Sequence, residues 1–211
     1  RGQAWGLYGY TCMYRLTGDA RYLEQARGIA GFLINHRNMP ADGIPYWDFD
    51  APALASTPRD ASAAAIMASA LVERALQYCD WAVAKGLLAI RSHVDICDDR
   101  LLAVEALLEV RRRVAPCLDL QLVAFPQDGV LRTAGGLESL TRALDLGVNV
   151  VGGIPHFERT MADGAASVKL LCELAAERGL RVDMHCDESD DPHSRHVETL
   201  AFETQRLGLH G

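Results

Sequence analysis

The chain has 211 residues, of which 49% are hydrophobic and 23% are charged, and its formal net charge is −7. A chain of this length can bury roughly 70% of the surface that it exposes when unfolded, so a packed core is expected. No apolar run approaches the ~20 residues of a membrane helix, no signal-peptide layout is present, and basic residues form no clustered face. These features predict a cytoplasmic protein that binds neither membranes nor nucleic acid.

The first 79 residues contain no convincing strand pattern. Apolar residues recur at helical spacing on both sides of Thr17-Gly18-Asp19, which predicts a helical hairpin in which Gly18 ends one helix and Asp19 caps the next. A loop rich in Pro, Gly and aromatic residues follows, and Asp60 is predicted to cap a third helix. The chain begins at Arg1 inside this pattern without an initiator Met, which predicts a fragment.

From about residue 87 the pattern changes to strands and helices that alternate at intervals of roughly 30 residues, the size of a βαβ unit. The predicted strands are 88–96, 118–125, 148–154 and 180–185, and the predicted helices are 98–115, 137–146, 164–178 and 194–207. This alternation predicts a parallel sheet, either open and doubly wound or part of a (β/α)8 barrel.

Polar residues alternate with apolar ones in two of these strands. His93 and Asp95 fall on one side of the first strand, and Asp183 and His185 fall on one side of the fourth. Polar residues on the inner face of two separate parallel strands suit a barrel lumen, so the barrel is favoured. An ordinary α/β sheet with hydrogen-bonded core polar groups remains the alternative.

Residues that could take part in catalysis or metal binding follow the ends of these strands. His185 and Glu188 could form a metal-ligating imidazole beside a proton-shuttling carboxylate, and Gln127 could both donate to and accept from an amide-like ring edge. Taken singly, these residue types are weak evidence for a catalytic or metal-binding site. A lone His on a strand is more often a hydrogen-bonded core residue, and the acidic residues from 187 to 191 could simply be a solvated loop that caps the next helix.

The six cysteines show no CxxC spacing and are expected to be reduced core residues.

Four stretches carry a family resemblance: "RSHVDICD", "LEVRRRVAPCLDLQLVAFPQDG", "GGIPHFERT" and "VDMHCDESDDPHSRHVETL". In order and spacing, residues 74–211 resemble the cytosine deaminase group of the amidohydrolase superfamily. The resemblance implies a Zn or Fe ion bound by His185, proton transfer by Glu188 during deamination, and contact between Gln127 and a pyrimidine-like base. His156 lies at the mouth of the predicted barrel without an assigned role.

That family places an HxH pair on its first barrel strand, a further His on the sixth and a metal-binding Asp on the eighth. This chain has no HxH pair, and His185 is the one residue that matches a family ligand. Because a Zn or Fe site needs three or four protein ligands, we expect no stoichiometric metal and no activity from the isolated chain. Exposed barrel edges are expected to favour self-association.

A second resemblance is carried by "RGQAWGLYGYTCMYRLTGDARYLEQARGIAGFLINH", "DGIPYWDFDAP" and "RDASAAAIMASALVE". These stretches look like the unsaturated glucuronyl hydrolases of glycoside hydrolase family 88, whose fold is a toroid of helical hairpins. The resemblance implies that Arg1 binds the uronate carboxylate and that Trp5 lines the sugar site. The simpler interpretation is a solvated Arg1 and a core Trp5. The catalytic aspartates of that family lie upstream of the matched part.

The two resemblances meet between residues 70 and 76, inside one helical pattern without a linker. We therefore expect a segment 1–73, an all-α hairpin fragment of an α/α toroid, and a segment 74–211, an α/β partial (β/α)8 TIM-type barrel of about four strands. Three interpretations follow: a deaminase-type amidohydrolase segment, a non-catalytic or artificial fusion of two hydrolase fragments, and a glycan-binding remnant that uses Arg1, Trp5, Tyr46 and Trp47. The second is favoured for the isolated chain, and the first for the origin of its larger part.

Overall fold

The computed structural model describes residues 2–40, 44–52 and 57–209. Arg1 lies outside the described residues, so its predicted contact with a uronate stays a prediction. The chain divides into two compact units, one ending at Leu87 and the other beginning at Leu88. Within the described ranges, no helix is both long and apolar enough to cross a membrane.

Helices make up the regular structure of the N-terminal unit: α1 (Gly2–Thr17), α2 (Ala20–Ile34) and α3 (Ala61–Ala84). Asp19 caps α2 by accepting a hydrogen bond from the backbone N–H of Arg21 at 3.0 Å. Asp60 caps α3 by accepting from the N–H of Ala63 at 3.1 Å. Both caps confirm the prediction from the sequence. A small core joins the helices and consists of Leu7, Ala26, Leu33 and Ala70.

The second unit contains a parallel sheet of four strands in the order β1-β2-β3-β4. The strands are β1 (Ala89–Asp95), β2 (Asp119–Phe125), β3 (Val150–Gly153) and β4 (Arg181–Met184). Helices follow them in turn: α4 (Leu102–Val114), α5 (Gly136–Asp145), α6 (Met161–Arg178) and α7 (His196–Leu207). This arrangement confirms the predicted alternation and is compatible with part of an α/β barrel.

Two helix starts differ from those predicted by three or more residues. The prediction that α4 begins at residue 98 is wrong, because the Asp98 side chain accepts from the backbone N–H of Arg100 and so forms a competing local turn. Leu101 then adopts a left-handed φ of 53° before the helix begins. In contrast, α6 begins earlier than predicted because Thr160 accepts from the N–H of Asp163 at 3.0 Å and caps its first turn.

The sheet has two different faces. Helices α4, α5 and α6 pack on one face and bury its aliphatic side chains, among them Leu122 and Val151. The other face has an apolar floor of Val123, Phe125, Val150 and Ile154 and carries the polar residues of the edge strands. We call this second face the inner face.

The cysteines depart in part from the expected core positions. All six are thiols, Cys79 and Cys172 are buried, and Cys117 is exposed. The prediction of a core position is therefore wrong for Cys117, which lies in the turn between α4 and β2 rather than within either element.

Candidate functional site

The strand register collects polar side chains on the inner face. Arg91 of β1 lies opposite Gln121 of β2, and Gly152 of β3 lies opposite Asp183 of β4. Directly opposed residues point to the same side of a sheet, and side chains two positions apart on one strand do so as well. His93 therefore shares its face with Arg91, as the alternation in the sequence predicted.

His93, Asp183 and His185 form a cluster on this face. The Nε2 atom of His93 lies 3.0 Å from the Oδ1 atom of Asp183. One potential ligand atom from each of the three residues lies within 4.8 Å of the others. The imidazole rings of His93 and His185 have centroids 4.7 Å apart, so the two rings lie side by side.

The contact between His93 and Asp183 shows that the sheet is strongly curled. These residues belong to the two edge strands, β1 and β4, which are separated by β2 and β3. In a flat sheet the outer strands of four would lie about 14 Å apart, farther than an imidazole and a carboxylate can reach together. The curl that brings them together is the one that a barrel wall needs.

Arg91 fixes the carboxylate of Asp183. Its Nη1 donates to Oδ2 of Asp183 at 2.8 Å, while its Nε and Nη2 donate to Oε1 of Gln121 at 3.0 and 2.8 Å. Burial alone would raise the pKa of Asp183, but the hydrogen bonds from Arg91 and His93 outweigh it and hold the pKa below its usual value. Asp183 is therefore a carboxylate at neutral pH.

The floor beneath the cluster is tightly packed. The ring of Phe125 lies 4.7 Å from that of His185 and 5.0 Å from that of His93, centroid to centroid. The backbone N–H of His185 donates to the carbonyl of Gly153 at 2.9 Å and so extends the pairing of β4 beyond the strand. A Cβ atom on Gly152 would lie 2.5 Å from the carbonyl oxygen of Ala124, so this position has no room for a side chain.

Gln127 and Glu188 lie in the loops that follow β2 and β4, at the C-terminal edge of the sheet. Both are exposed, and the backbone N–H of Gln127 donates to the carbonyl of Phe125 at 3.0 Å. Neither contributes an atom to the three-residue cluster found among the described residues. The structure thus places them on the edge where parallel α/β folds concentrate chemistry, and their roles stay predictions.

Asp187 organises the loop after β4, a role that the sequence left open. Its carboxylate accepts from the backbone N–H groups of His196 and Val197 at 2.8 and 2.9 Å and from the hydroxyl of Ser194 at 2.7 Å. Burial acts to raise the pKa of Asp187, but these hydrogen bonds lower it well below its usual value. The interpretation of a loop residue that caps the next helix therefore holds for Asp187.

Glu158 lies at the edge of the candidate site and was not identified by the sequence analysis. Its carboxylate accepts from the backbone N–H groups of Leu131 and Arg132 at 3.0 and 2.8 Å, and so ties the end of β3 to the loop that carries Gln127. Nothing in the local sequence pattern indicates this contact, because it joins segments 26 or more residues apart.

His156 lies two residues before Glu158, and neither of its ring nitrogens has a hydrogen-bond partner among the described residues.

The N-terminal unit contains a separate cavity of about 290 Å³. Tyr46, Trp47, Asp48 and Asp50 are among the residues that line it. Trp5 is not among them: its side chain is 53% exposed and its ring contacts that of Tyr8 edge to face. The predicted sugar contact of Trp5 thus stays a prediction, while Tyr46 and Trp47 do face a common space.

Comparison with known proteins gives two separate relationships. No family model matches the chain. Over 73 residues it is 56% identical to an unsaturated glucuronyl hydrolase of Formosa agariphila, a match that covers 35% of this chain and 18% of that protein. Over 138 residues it is 29% identical to an N-isopropylammelide isopropyl amidohydrolase of Pseudomonas sp., covering 64% of this chain and 34% of that protein.

Among solved structures, the chain is similar to the 5-methylcytosine deaminase from Klebsiella pneumoniae liganded with phosphonocytosine. The TM-score is 0.65 at 44% identity, over 67% of this chain and 35% of that one. The chain therefore spans about a third or less of the relatives that it matches. Its N-terminal part matches unsaturated glucuronyl hydrolases and the rest matches amidohydrolase-type deaminases, which is consistent with a chimera.

Proposed function

We propose that the chain joins a fragment of an unsaturated glucuronyl hydrolase, residues 1–73, to a partial barrel of a cytosine deaminase-type amidohydrolase, residues 74–211. The parent reaction of the larger part is the hydrolytic deamination of a pyrimidine-like ring. The observation that carries this proposal is the curled inner face, where His185 meets polar side chains of the opposite edge strand while Gln127 and Glu188 occupy the adjoining loops.

The residues around His185 fit the Zn or Fe ion of that family in their chemistry. Imidazole nitrogens and a carboxylate are donors that such ions accept, and His93 and Asp183 lie next to His185. When bound, such an ion lowers the pKa of a coordinated water to about 7. In this chain, His185 would hold the ion, Gln127 would orient the ring through its amide, and Glu188 would move the proton to the leaving nitrogen.

We further propose that the isolated chain does not turn over a pyrimidine. Arg91 donates to Asp183 at 2.8 Å and so places a positive charge beside the cluster, which weakens the binding of a catalytic cation. Glu188 is exposed, whereas a group that transfers protons in a hydrolytic centre must be held within about 0.5 Å of its working position. The inner face of this chain therefore carries part of a site, but it lacks the contacts that would hold the substrate and the Glu188 carboxylate in place.

The continuity of α3 is compatible with a join within one helix. The predicted boundary at residues 73 and 74 falls inside α3, which runs unbroken from Ala61 to Ala84. The two matches cover 35% and 64% of this chain, shares that together nearly account for its length. A join that preserves helical periodicity would leave no local mark in the backbone. Reading the encoding DNA across codons 65 to 80 tests whether the join is genuine.

The test of catalysis is ammonia release from cytosine and from 5-methylcytosine by the purified chain, supplied with Zn²⁺ or Fe²⁺. We expect no release above that of the Glu188→Gln variant, which keeps the side-chain shape and removes the carboxylate. Release that is abolished by Glu188→Gln would show that the chain is a working deaminase and would overturn the proposal of an incomplete site.

The cavity of the N-terminal unit favours a second candidate function, the binding of a saccharide. Aromatic side chains of Tyr46 and Trp47 beside the carboxylates of Asp48 and Asp50 are the surfaces that sugars use for stacking and hydroxyl hydrogen bonds. Titration with unsaturated uronate disaccharides, followed by tryptophan fluorescence, tests this candidate. A saturable response that Trp47→Phe changes would support it, and the absence of any response would exclude it.

A further inference from the structure

We propose that His93, Asp183 and His185 form a divalent-cation site of their own, with a ligand set different from that of the deaminase family. Two of these ligands, His93 and Asp183, match none of the positions that the resemblance assigns to metal binding. The inference rests on the geometry of this chain and does not depend on the proposed deaminase origin or on any activity.

The spacing of the donors is close to what an ion requires. Ligand atoms that surround Zn²⁺ at 2.0–2.2 Å lie roughly 3.3 Å from one another. The Nε2 atom of His93 and the Oδ1 atom of Asp183 are already 3.0 Å apart. All three donors fall within 4.8 Å, so small rotations of side chains on this accessible face would bring them around one ion.

The strands that carry the donors hold their backbones in place. His93 lies within β1 and Asp183 within β4, and the N–H of His185 is bonded to Gly153 of the neighbouring strand. Sites built on strands are positioned more firmly than sites built on loops. The ring of Phe125 supports both imidazoles from below, which limits the orientations that they can adopt.

Arg91 supplies the outer support that ligating carboxylates commonly have. It donates to Oδ2 of Asp183, so the other oxygen, Oδ1, is turned toward His93. The carboxylate is thereby presented to the cluster through one oxygen. The positive charge of Arg91 lies close to the site and weakens cation binding, so we expect an affinity well below that of a structural zinc site.

The donor types select the class of cation. Two imidazoles with one carboxylate suit Zn²⁺, Co²⁺ or Fe²⁺, whereas Mg²⁺ and Ca²⁺ require mainly oxygen donors. Three protein ligands leave at least one position for water. This arrangement revises the expectation from the sequence, which counted His185 as a single ligand because it could not show that β1 and β4 meet over the inner face.

The experiment is a titration of the purified full chain with Co²⁺, followed by visible absorption and by competition with Zn²⁺. We expect one equivalent of Co²⁺ to bind with a d–d spectrum of nitrogen and oxygen ligands, and Zn²⁺ to displace it. His93→Gln, Asp183→Asn and His185→Gln should each weaken binding at least about tenfold. His193→Gln, at an exposed position outside the cluster, should bind as the parent chain does.

Circular dichroism of each variant establishes that the fold is retained, and the near-isosteric Gln and Asn replacements keep loss of binding separate from loss of structure. The proposal is overturned if Co²⁺ does not bind, or if His93→Gln and Asp183→Asn bind it as well as the parent chain. A strong thiolate charge-transfer band would also overturn it, because the ion would then lie on a cysteine. None of these outcomes depends on turnover, so the proposed function is tested separately.

Discussion

Replacing Gly152 with Ala tests the packing that supports the inner face. A Cβ atom at this position would lie 2.5 Å from the carbonyl oxygen of Ala124, 2.8 Å from Cγ1 of Val123 and 3.0 Å from Cα of Phe125, whereas ordinary contact begins at 3.4 Å. Two of these atoms belong to the backbone of β2, an inner strand of the sheet, which has little freedom to move. The methyl group can therefore be accommodated only by separating β3 from β2.

The expected loss is about 3 kcal/mol, the upper end of the usual cost of adding a methyl group to a packed interior. With a urea dependence of ~2 kcal/mol per molar, the unfolding midpoint should fall by about 1.5 M. Gly28→Ala is the matched control, because Gly28 lies on an open face of α2 with no atom within 4 Å. This control should gain about 0.5–1 kcal/mol from helix propensity.

Urea unfolding followed by far-ultraviolet circular dichroism measures both variants. All three tryptophans lie in the unit that ends at Leu87, so fluorescence reports that unit and dichroism reports both. Hydrogen exchange of peptides from β2 and β3 then locates the loss for Gly152→Ala. A loss smaller than about 1 kcal/mol, with unchanged exchange in β2 and β3, would refute the packing argument.

Four further predictions concern the unit that begins at Leu88. Asp187→Ala should lose about 2 kcal/mol by removing the cap of α7, while the exposed Asp190→Ala should lose little, in urea unfolding. The pKa of Asp187 is held below its usual value, so its contribution to the free energy of unfolding is full above about pH 4 and is lost as the pH falls through its folded-state pKa. When the stability of Asp187→Asn is followed into acid, this loss should not be seen. Burial raises the pKa of Cys172 to about 11, so roughly one thiol in a thousand is ionised at pH 8, and peptide mass spectrometry should find exposed Cys117 alkylated long before Cys172. Amides of the edge strands β1 and β4 should exchange faster than those of β2 and β3, and equal protection of all four would contradict the open-edged sheet.

The regular elements of both units followed from local sequence signals. Asp19 and Asp60 cap their helices as predicted, because an N-cap is decided by residues within one turn. The alternation of polar and apolar residues along β1 and β4 likewise identified which polar side chains share a face. The start of α4 was missed because Asp98 forms a local turn with Arg100 that competes with the helix.

The contacts within the candidate site could not be predicted in the same way. The sequence showed that His93 and Asp183 point to the inner faces of their strands, but their contact depends on how far the sheet curls between β1 and β4. Curl is set by the packing of the whole sheet, including the close approach at Gly152. The tie from Glu158 to the Gln127 loop is also a long-range contact without a local signal.

The central claim is that the larger part of this chain holds a portion of a deaminase-type site which cannot turn over a pyrimidine by itself. The most direct test measures bound metal and ammonia release from cytosine on the same preparation, after loading with Zn²⁺ or Fe²⁺. We predict that the ion binds at His93, Asp183 and His185 and that no ammonia is released. Release of ammonia in proportion to bound metal, lost in Glu188→Gln, would contradict the account.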